Sequence, residues 1–536
     1  MMDSSVVDAR LCIASESGQE LDAADKIERR TYRRWLVGLL IVVVSLIPFT
    51  ATFESEGAPM DEGSLLVYPE LIRHGALPYR DFETFYGPAN IYVLATVYSF
   101  FGTDVMIERA VGLLYRALIL SLLFACIARW DIFAAAGCTM LAAWMLLAAD
   151  IIAYAWFGGI VCLLGSIWLM AGSKFNARFL LAGLVGGCAI LYRVDLALAA
   201  IFSALPLLYL APVRQRMEYL IGMAIGLLPL TLLTCWVGPR ELINNLVLYP
   251  VFYSGLARHK PWSTVEPYYV RELFVLHLVA AAANIVAGII AVRLRPAEAR
   301  SRLLLSLAWV GVLLTAQAAQ RLDVFHLVCA AFLTIGILPL SLLTLGNRVG
   351  KWRPTFASVG LAIIVVFAAV ETVAPNLTIL VKGKCLAALT AYEDDEYFAK
   401  HVGRSFPRSS REEAVGLSRM LDWLEKESAP GERLLVGPAD LRRTSYCDTF
   451  IYFLMPKLRP SGYFLEMNPL SANRPGSRLA DDVSSSNWLL LNRALDGWSE
   501  ENRSLEFQSD VPNHVVREKF ELVREFESYL VFHRKS

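Results

Sequence analysis

Residues 29–53 read RRTYRRWLVGLLIVVVSLIPFTATF, with four arginines standing directly before an apolar run. An apolar run of about 20 residues is what an α-helix needs to cross the hydrocarbon core of a bilayer. Arginines beside such a run mark its cytoplasmic end. The preceding residues are polar and of mixed charge, which is not the pattern of a cleavable signal peptide. The stretch therefore predicts an uncleaved first membrane helix with a cytoplasmic N-terminus.

Apolar runs of this kind recur along most of the chain. Its 536 residues have a mean hydropathy of +0.47, with 56% hydrophobic and only 19% charged residues. Soluble domains carry about 25% charged residues. The composition argues against a secreted enzyme, a disordered chain and a fibrous protein, and predicts a polytopic α-helical membrane protein of about 11–12 transmembrane helices. Twelve apolar segments support this prediction, at about 35–53, 87–102, 110–128, 131–149, 151–171, 179–193, 196–212, 218–237, 272–292, 303–320, 325–345 and 355–373.

Short basic loops set the predicted topology. The positive-inside rule places five of them in the cytoplasm, namely 29–34, 174–178, 214–216, 293–302 and 348–353. From residue 174 onward the sides alternate without conflict, and everything after residue 375 falls outside. Before residue 174, five apolar segments separate two cytoplasmic loops, although the number of crossings must be even. We expect segment 87–102, which is short, not to cross; the alternative is that 131–149 and 151–171 form one broken unit.

The C-terminal region, 375–536, is predicted to be an extracytoplasmic α/β domain. An amphipathic helix at 411–428 alternates with short apolar strands separated by Gly, Pro and Ser. The predicted strands are Arg433–Val436, Trp488–Leu491 and Tyr529–Phe532. Two of the nine cysteines, Cys385 and Cys447, lie in this region, and a disulfide and two free thiols are both open. With a cytoplasmic segment, 1–34, and a membrane domain, 35–374, this gives three parts.

An external loop, 54–86, follows the first predicted membrane helix and carries adjacent carboxylates, Asp61 and Glu62. A carboxylate at a low-dielectric boundary binds its proton more tightly, which suits a general base. A solvated acidic loop explains the pair equally well when it is taken alone. The pair is therefore a candidate catalytic site whose interpretation depends on its surroundings.

The same loop continues with an aromatic and charged cluster. It contains Tyr79, Arg80 and Asp81, then Tyr86 before Gly87-Pro88. The prolines stiffen the chain and glycine permits a sharp turn. Aromatics at a membrane boundary are ordinary interface anchors. In a constrained loop they also suit the lining of a sugar or lipid-phosphate site.

Two further turns place charges at the predicted outer boundary. Arg193 and Asp195 lie between two apolar runs, either as a self-neutralising pair or with Arg193 holding an anionic group. Arg321, Asp323 and His326 lie within six residues. At helical spacing Asp323 touches His326 and orients it, while Arg321 offers a bidentate phosphate contact. A plain hairpin cap is the alternative.

Taken together, the predicted outer face offers an acidic pair, several cations and many aromatics. The cations would stabilise charge on a leaving phosphate, and a polyprenyl phosphate leaves without protonation. One base is then enough, in contrast to the two carboxylates of a glycosidase. The chain carries 50 basic and 50 acidic residues, so no global field attracts nucleic acid. The expected partners are a lipid carrier and the bilayer, not nucleic acid.

This combination resembles the GT-C superfamily of integral membrane glycosyltransferases, which includes protein O-mannosyltransferases and lipid A aminoarabinose transferases. The resemblance rests on the cytoplasmic N-terminus, the early Asp61-Glu62 pair in an external loop, the external C-terminal domain and two motifs. These motifs are Pro78-Tyr79-Arg80-Asp81-Phe82…Tyr86-Gly87-Pro88 and Arg321-x-Asp323-x-x-His326-Leu327.

The resemblance implies inverting transfer of a sugar from a polyprenyl-phosphate donor to a glycan, lipid or protein hydroxyl at the outer face of the cytoplasmic membrane. It assigns Asp61 as the base, with Glu62 supporting it or exchanging roles with it. We add that Arg193, Arg321 and His326 hold the lipid phosphate. No cofactor is predicted with certainty, and a divalent cation stays open.

Two alternatives remain at this stage. A transporter or flippase would place its ionisable residues near the bilayer midplane, often in repeated halves. A polysaccharide polymerase or ligase that uses a lipid-diphosphate carrier would also need external Arg and His residues.

Overall fold

A computed structural model describes residues 34–172, 176–254, 259–346, 355–390, 397–443, 447–468, 470–494, 496–497, 506 and 508–536. The predicted cytoplasmic segment before residue 34 and the basic loop 348–353 lie outside the described residues. So do the first two residues of the basic loop 174–178. The described chain is mainly helical and ends in a small mixed sheet, which confirms the predicted fold class.

The apolar runs form the helices of the membrane domain. In chain order these are α1 (Arg34–Thr50), α2 (Asp61–Arg73), α3 (Pro88–Phe101), α4 (Val105–Ile127), α5 (Ile132–Leu146), α6 (Ala155–Met170), α7 (Arg178–Tyr192), α8 (Ala197–Leu208), α9 (Val213–Val237), α10 (Pro239–Ile243), α11 (Tyr269–Leu294), α12 (Ala299–Gln320), α13 (Val324–Gly346), α14 (Phe356–Val373) and α15 (Pro375–Thr390). A π-helix, Asn244–Ser254, follows α10.

Six helices of the described chain are long and apolar enough to cross a bilayer, and five shorter apolar helices accompany them. The six are α4, α9, α11, α12, α13 and α14, and the five are α1, α5, α6, α7 and α8 with its preceding turn. The helix α3, which covers the segment 87–102, belongs to neither group. Leaving α3 out puts α1, α4, α5 and α6 between the first two basic loops, the even number that the topology requires. The sidedness of the chain stays a prediction.

Close helix packing positions one corner of the candidate site. Helix α7 leads directly into Arg193 and packs along α9. A Cβ added to Gly222 of α9 would lie 2.0 Å from the backbone oxygen of Leu180. Only glycine allows the two backbones to approach this closely, as is common between membrane helices. The end of α7 is thereby fixed in the bundle.

The C-terminal domain contains the α/β arrangement predicted from the sequence. The elements are β1 (Phe398–His401), β2 (Arg404–Pro407), α16 (Arg411–Glu427), β3 (Arg433–Pro438), α17 (Phe450–Leu454), β4 (Arg459–Pro460), α18 (Leu479–Ser485), β5 (Trp488–Asn492), α19 (Val511–Lys519), β6 (Phe520–Phe526) and β7 (Tyr529–Arg534). The five-stranded sheet has the order β4-β3-β5-β7-β6, with β3 parallel to β4 and β5 and the other pairs antiparallel. The three predicted strands are β3, β5 and β7, which lie side by side.

The C-terminal domain is docked on the loop 54–86 through backbone hydrogen bonds. Gly57 N–H donates to the oxygen of Pro407 at 3.1 Å, and Phe450 N–H donates to the oxygen of Pro59 at 3.2 Å. An ion pair joins Arg404 to Glu70 at 2.6 Å. The domain therefore braces the segment that leads into Asp61.

Cys385 and Cys447, for which a disulfide and two free thiols were both open, do not form a disulfide. The Cys385 thiol lies near the backbone oxygen of Pro48, and the buried Cys447 thiol lies near that of Val436. Both thiols are free.

Candidate active site

A cavity of about 320 Å³ lies where the ends of several helices meet beneath the C-terminal domain. We call it the central cavity. The start of α2, the loop before α3, the connection from α5 to α6, the end of α7, the π-helix and the α12–α13 turn all contribute to its wall. Its charged, amide and aromatic lining residues are Asp61, Phe85, Tyr86, Asp150, Tyr154, Trp156, Arg193, Gln317, Gln320, Arg321, Asp323, Phe325 and His326. Its size is within the ordinary range for a small-molecule site.

Asp61 lines this cavity from the first turn of α2. A carboxylate in the first turn of a helix is stabilised by the helix dipole. Helix α2 packs closely against the C-terminal domain, since a Cβ added to Gly63 would lie only 2.3 Å from the backbone nitrogen of Phe450. Asp61 is thus an ionisable group presented to the cavity on a fixed support.

Glu62, the neighbour of Asp61, is placed differently. Its side chain is fully buried and does not line the central cavity. Nε and Nη2 of Arg109 donate to its two carboxylate oxygens at 2.6 and 2.9 Å, and Nη1 of Arg109 donates to the backbone oxygen of Ser55 at 2.8 Å. The pair therefore ties α2 and the preceding loop to α4. In this arrangement the Glu62 side chain faces Arg109 and is not part of the cavity wall.

Arg193 enters the cavity at the end of α7. It forms a bidentate pair with Asp195 at 3.0 and 2.7 Å, and its Nη2 also donates to the Gln317 side chain at 3.0 Å. Its guanidinium carbon lies 5.0 Å from the Trp156 ring centroid and 5.6 Å from that of Tyr86. The self-neutralising pair considered from the sequence exists, yet the guanidinium still lines the cavity.

The α12–α13 turn contributes three predicted residues, Arg321, Asp323 and His326. His326 Nδ1 lies 2.8 and 2.9 Å from the two Asp323 oxygens. Because an ionised carboxylate only accepts, Nδ1 carries a proton and donates it to Asp323, which leaves Nε2 as the second nitrogen of the ring. Arg321 Nε donates to Asp323 at 3.3 Å. Burial raises the pKa of Asp323, but hydrogen bonds from His326 and the positive charges nearby outweigh it, so the pKa lies below its ordinary value.

The two predicted tyrosines of the loop 54–86 have different positions: Tyr79 is buried, and Tyr86 lines the central cavity. Tyr79 is fully buried and adopts a left-handed backbone with φ 68°, and its hydroxyl donates to the Tyr86 oxygen at 2.7 Å. Tyr86 itself lines the cavity. A Cβ on Gly87 would lie 2.0 Å from the Leu191 oxygen, so the loop packs directly on the end of α7. Tyr79 therefore supports the wall and does not line it.

Arg80 and Asp81 lie outside the central cavity. They form a partly exposed bidentate pair at 2.9 and 2.8 Å. Arg80 lines a different cavity, next to the C-terminal domain. The structure therefore brings together Asp61, Tyr86, Arg193, Arg321, Asp323 and His326, and it places Glu62, Tyr79, Arg80 and Asp81 elsewhere.

Sequence reasoning missed Asp150. It interrupts two apolar runs, the same signal that drew attention to Arg193, and in the structure it lines the central cavity. Lys384 of α15 donates to it at 2.7 Å. The fully buried Arg116 of α4 donates to the backbone oxygens of Asp150 and of Ile151, the latter at 3.0 Å. Asp150 is therefore a third carboxylate of the cavity, held on both its side chain and its backbone.

Among the described residues, no group of three or more His, Cys, Asp and Glu side chains is arranged to hold a metal ion. The divalent cation left open by the sequence gains no support from a ligand set in this part of the chain.

The helical bundle, with its apolar helices and its C-terminal α/β domain, has an ArnT-like fold, which agrees with the predicted fold class. The chain is similar to ArnT from Cupriavidus metallidurans crystallised with bound undecaprenyl phosphate, at 14% identity over 93% of this chain and 97% of that one, with a TM-score of 0.53. ArnT in its apo state matches at 13% identity over 94% and 98%, with a TM-score of 0.50. No protein-family model and no curated protein matches by sequence. At this identity the likeness concerns the fold.

Proposed function

We propose that the chain is a membrane glycosyltransferase that moves a sugar from a polyprenyl-phosphate donor to a hydroxyl acceptor at the extracytoplasmic face, with inversion. The observation that carries the proposal is the meeting of Asp61 with Arg193, Arg321 and His326 in one cavity, although 132 or more residues separate Asp61 from the other three in the sequence. The ArnT structure that holds undecaprenyl phosphate supports a carrier of this class.

In the proposed reaction the acceptor oxygen attacks the anomeric carbon from the face opposite the phosphate. The new C–O bond forms as the old anomeric C–O bond breaks, and its electron pair leaves with the polyprenyl phosphate. The acceptor proton passes to the Asp61 carboxylate. Each sugar transferred therefore releases one polyprenyl phosphate and inverts the anomeric configuration.

The cations act on the phosphate that leaves. Arg193 and Arg321 supply N–H donors of fixed geometry to the phosphate oxygens, and His326 adds a donor when its Nε2 is protonated. Preorganised donors of this kind stabilise charge as it develops. Their carboxylate partners, Asp195 and Asp323, hold them in place before the donor arrives.

The aromatic wall has a positioning role in this proposal. Tyr86, Tyr154 and Trp156 offer flat apolar faces beside the charged groups, which suits a sugar ring. Glu62 helps to hold Asp61 in place, and Tyr79 helps to hold Tyr86 in place. Neither Glu62 nor Tyr79 contacts the donor or the acceptor. The sugar and the acceptor that fit this cavity have to be identified by experiment.

The test is an assay on the purified full chain in proteoliposomes with a panel of polyprenyl-phosphate and polyprenyl-diphosphate sugars and a membrane extract as the acceptor source. The proposal expects one lipid of the panel to be consumed, with polyprenyl phosphate and a glycosylated product of inverted configuration appearing in equal amounts. A transporter or flippase would move a lipid or solute between compartments with its glycosidic bond intact. A polymerase or ligase would consume only diphosphate-linked lipids. Either of these results, or a retained configuration, would overturn the proposal.

A further inference from the structure

A second cavity, of about 360 Å³, lies at the seam between the membrane domain and the C-terminal domain. We call it the seam cavity. Arg80 reaches it from the loop 54–86, Arg240 from α10, and Arg474 and Arg478 from the C-terminal domain. Glu241 is the only acid among the residues that line it. Four arginines thus converge from three segments that are far apart in the sequence.

The arginines are only partly neutralised. Arg80 is paired with Asp81 at 2.8 Å, and Arg478 interacts electrostatically with Asp81 and Asp482. Within the described residues, neither Arg240 nor Arg478 makes a direct ion pair. Like charges gathered in a confined space repel one another by about 1 kcal/mol or more per close pair. A cluster of this kind is more stable with an anion among its members.

Aromatic rings hold two of these guanidinium groups in position. Arg474 lies with its guanidinium carbon 4.7 Å from the Tyr249 ring centroid and donates to the Tyr249 hydroxyl at 3.0 Å. The guanidinium carbon of Arg478 lies 4.8 Å from the Tyr463 ring centroid. Stacking on a ring fixes the orientation of the planar guanidinium group. Its N–H donors then point outward in one plane, which is the geometry that binds phosphate oxygens bidentately.

The seam cavity is joined to the central cavity by short covalent and hydrogen-bonded links. Tyr249 lines the seam cavity, and the next residue, Pro250, lines the central cavity. On the other side the Tyr463 hydroxyl donates to the Tyr79 oxygen at 2.9 Å, and the Tyr79 hydroxyl donates to the Tyr86 oxygen at 2.7 Å. The walls of the two cavities therefore adjoin at Tyr249 and Pro250, and a group bound in the seam cavity would lie next to the wall of the central cavity.

We infer that the seam cavity is a second anion site, which binds a phosphate-ester group through Arg240, Arg474 and Arg478. The group is carried either by the acceptor or by the headgroup of an anionic membrane phospholipid. The acceptor source rests on the proposed glycosyltransferase function, whereas the headgroup source does not. In both cases the arginine cluster makes the same contacts with the phosphate oxygens.

The test uses the full chain in neutral detergent with two probes. Equilibrium dialysis measures binding of radiolabelled inorganic phosphate, and native mass spectrometry measures retained phosphatidylglycerol against phosphatidylcholine. The variant is Arg240→Gln, Arg474→Gln and Arg478→Gln combined. Its matched control is Arg214→Gln, Arg295→Gln and Arg300→Gln, which removes three charges from partly or largely exposed arginines. We expect at least a tenfold loss of affinity for one probe in the variant and none in the control.

Each outcome decides the inference. Loss of phosphate binding with unchanged phosphatidylglycerol retention identifies the acceptor phosphate, and loss of phosphatidylglycerol retention, with or without loss of phosphate, identifies the headgroup. Lysine at the three positions should restore part of the binding because the charge returns. The single Arg240→Gln change carries the same test if the triple variant does not fold. Wild-type binding of neither probe, or equal binding by wild type and variant, would overturn the inference. Polyprenyl-phosphate binding, measured on the same samples, reports separately on the central cavity.

Discussion

Arginines line both the central cavity and the seam cavity, but the two cavities differ in how much negative charge accompanies the arginines. Arg193 and Arg321 of the central cavity each contact an aspartate of their own turn, and Asp61 and Asp150 add further negative charge. The seam cavity sets four arginines against one glutamate. Under the proposed function, paired cations orient a phosphate without retaining it, because a product phosphate leaves in every cycle. In the seam cavity Arg240 and Arg478 make no direct ion pair within the described residues, which suits a site that keeps its anion.

The largest expected effect comes from Asp61→Asn. The amide cannot accept the acceptor proton, so we expect sugar transfer to fall about 10³-fold, within the range for loss of a general base. The substitution keeps the size of the side chain, and folding should not change. Transfer from the active donor lipid measures the first expectation and the melting temperature in detergent the second. Asp422→Asn, at a largely exposed carboxylate of the C-terminal domain, is the control. Transfer within a few-fold of wild type would exclude Asp61 as the base.

Glu62→Gln should act on stability. Removing one partner of a buried ion pair leaves Arg109 with an uncompensated charge, which costs about 3–5 kcal/mol. A lower melting temperature is therefore expected for Glu62→Gln than for Asp61→Asn, and the two adjacent carboxylates would be told apart by this readout. Equal melting temperatures with equal loss of transfer would instead support a catalytic dyad.

Arg193→Gln should weaken donor binding with a smaller change in folding, since Asp195 is left partly exposed to solvent. A charge-assisted hydrogen bond contributes about 1.5–3 kcal/mol, so the KM for the donor lipid should rise about 10–100-fold. Arg493→Gln, which breaks an exposed pair with Glu525, is the matched control. An unchanged KM for the donor in Arg193→Gln would remove Arg193 from the phosphate site.

The smallest expected effect is a change in how stability depends on pH, caused by Asp482, which contacts the seam-cavity residue Tyr463. Burial raises the pKa of Asp482 to about 6, although its carboxylate accepts N–H bonds from Tyr463 and Phe464. The folded chain then holds the Asp482 proton at a pH where the unfolded chain releases it. Stability should fall as pH rises from about 4 to about 6, by on the order of 3 kcal/mol at most. The expected difference is a flatter pH profile of melting temperature in Asp482→Asn, and parallel profiles would contradict it.

The sequence predicted those parts of the molecule that depend on local pattern. Hydrophobic run length and alternation located the membrane helices and the strands β3, β5 and β7, because these patterns reflect burial on one or all sides of an element. The contact between Asp323 and His326 follows from a spacing of three residues. Such features need no knowledge of distant neighbours.

Features that depend on distant neighbours were not predictable in this way. Asp61 and Glu62 are adjacent and chemically alike, yet α2 turns one to the cavity and the other to Arg109 in α4. Arg80 and Tyr86 belong to the same loop, but Arg80, which directly follows the left-handed Tyr79, lines the seam cavity, whereas Tyr86 lines the central cavity. Asp150 depends on Lys384, which is 234 residues away. These assignments follow from helix packing, which no local pattern reports.

The most direct measurement is photo-crosslinking with a polyprenyl-phosphate analogue that carries a diazirine next to the phosphate, followed by peptide mapping of the full chain. The account predicts that label falls on the segments containing Tyr86, Trp156 and Phe325, which line the central cavity, and that excess polyprenyl phosphate competes it away. Competable label confined to the seam cavity or to the lipid-facing sides of the helices would contradict the account.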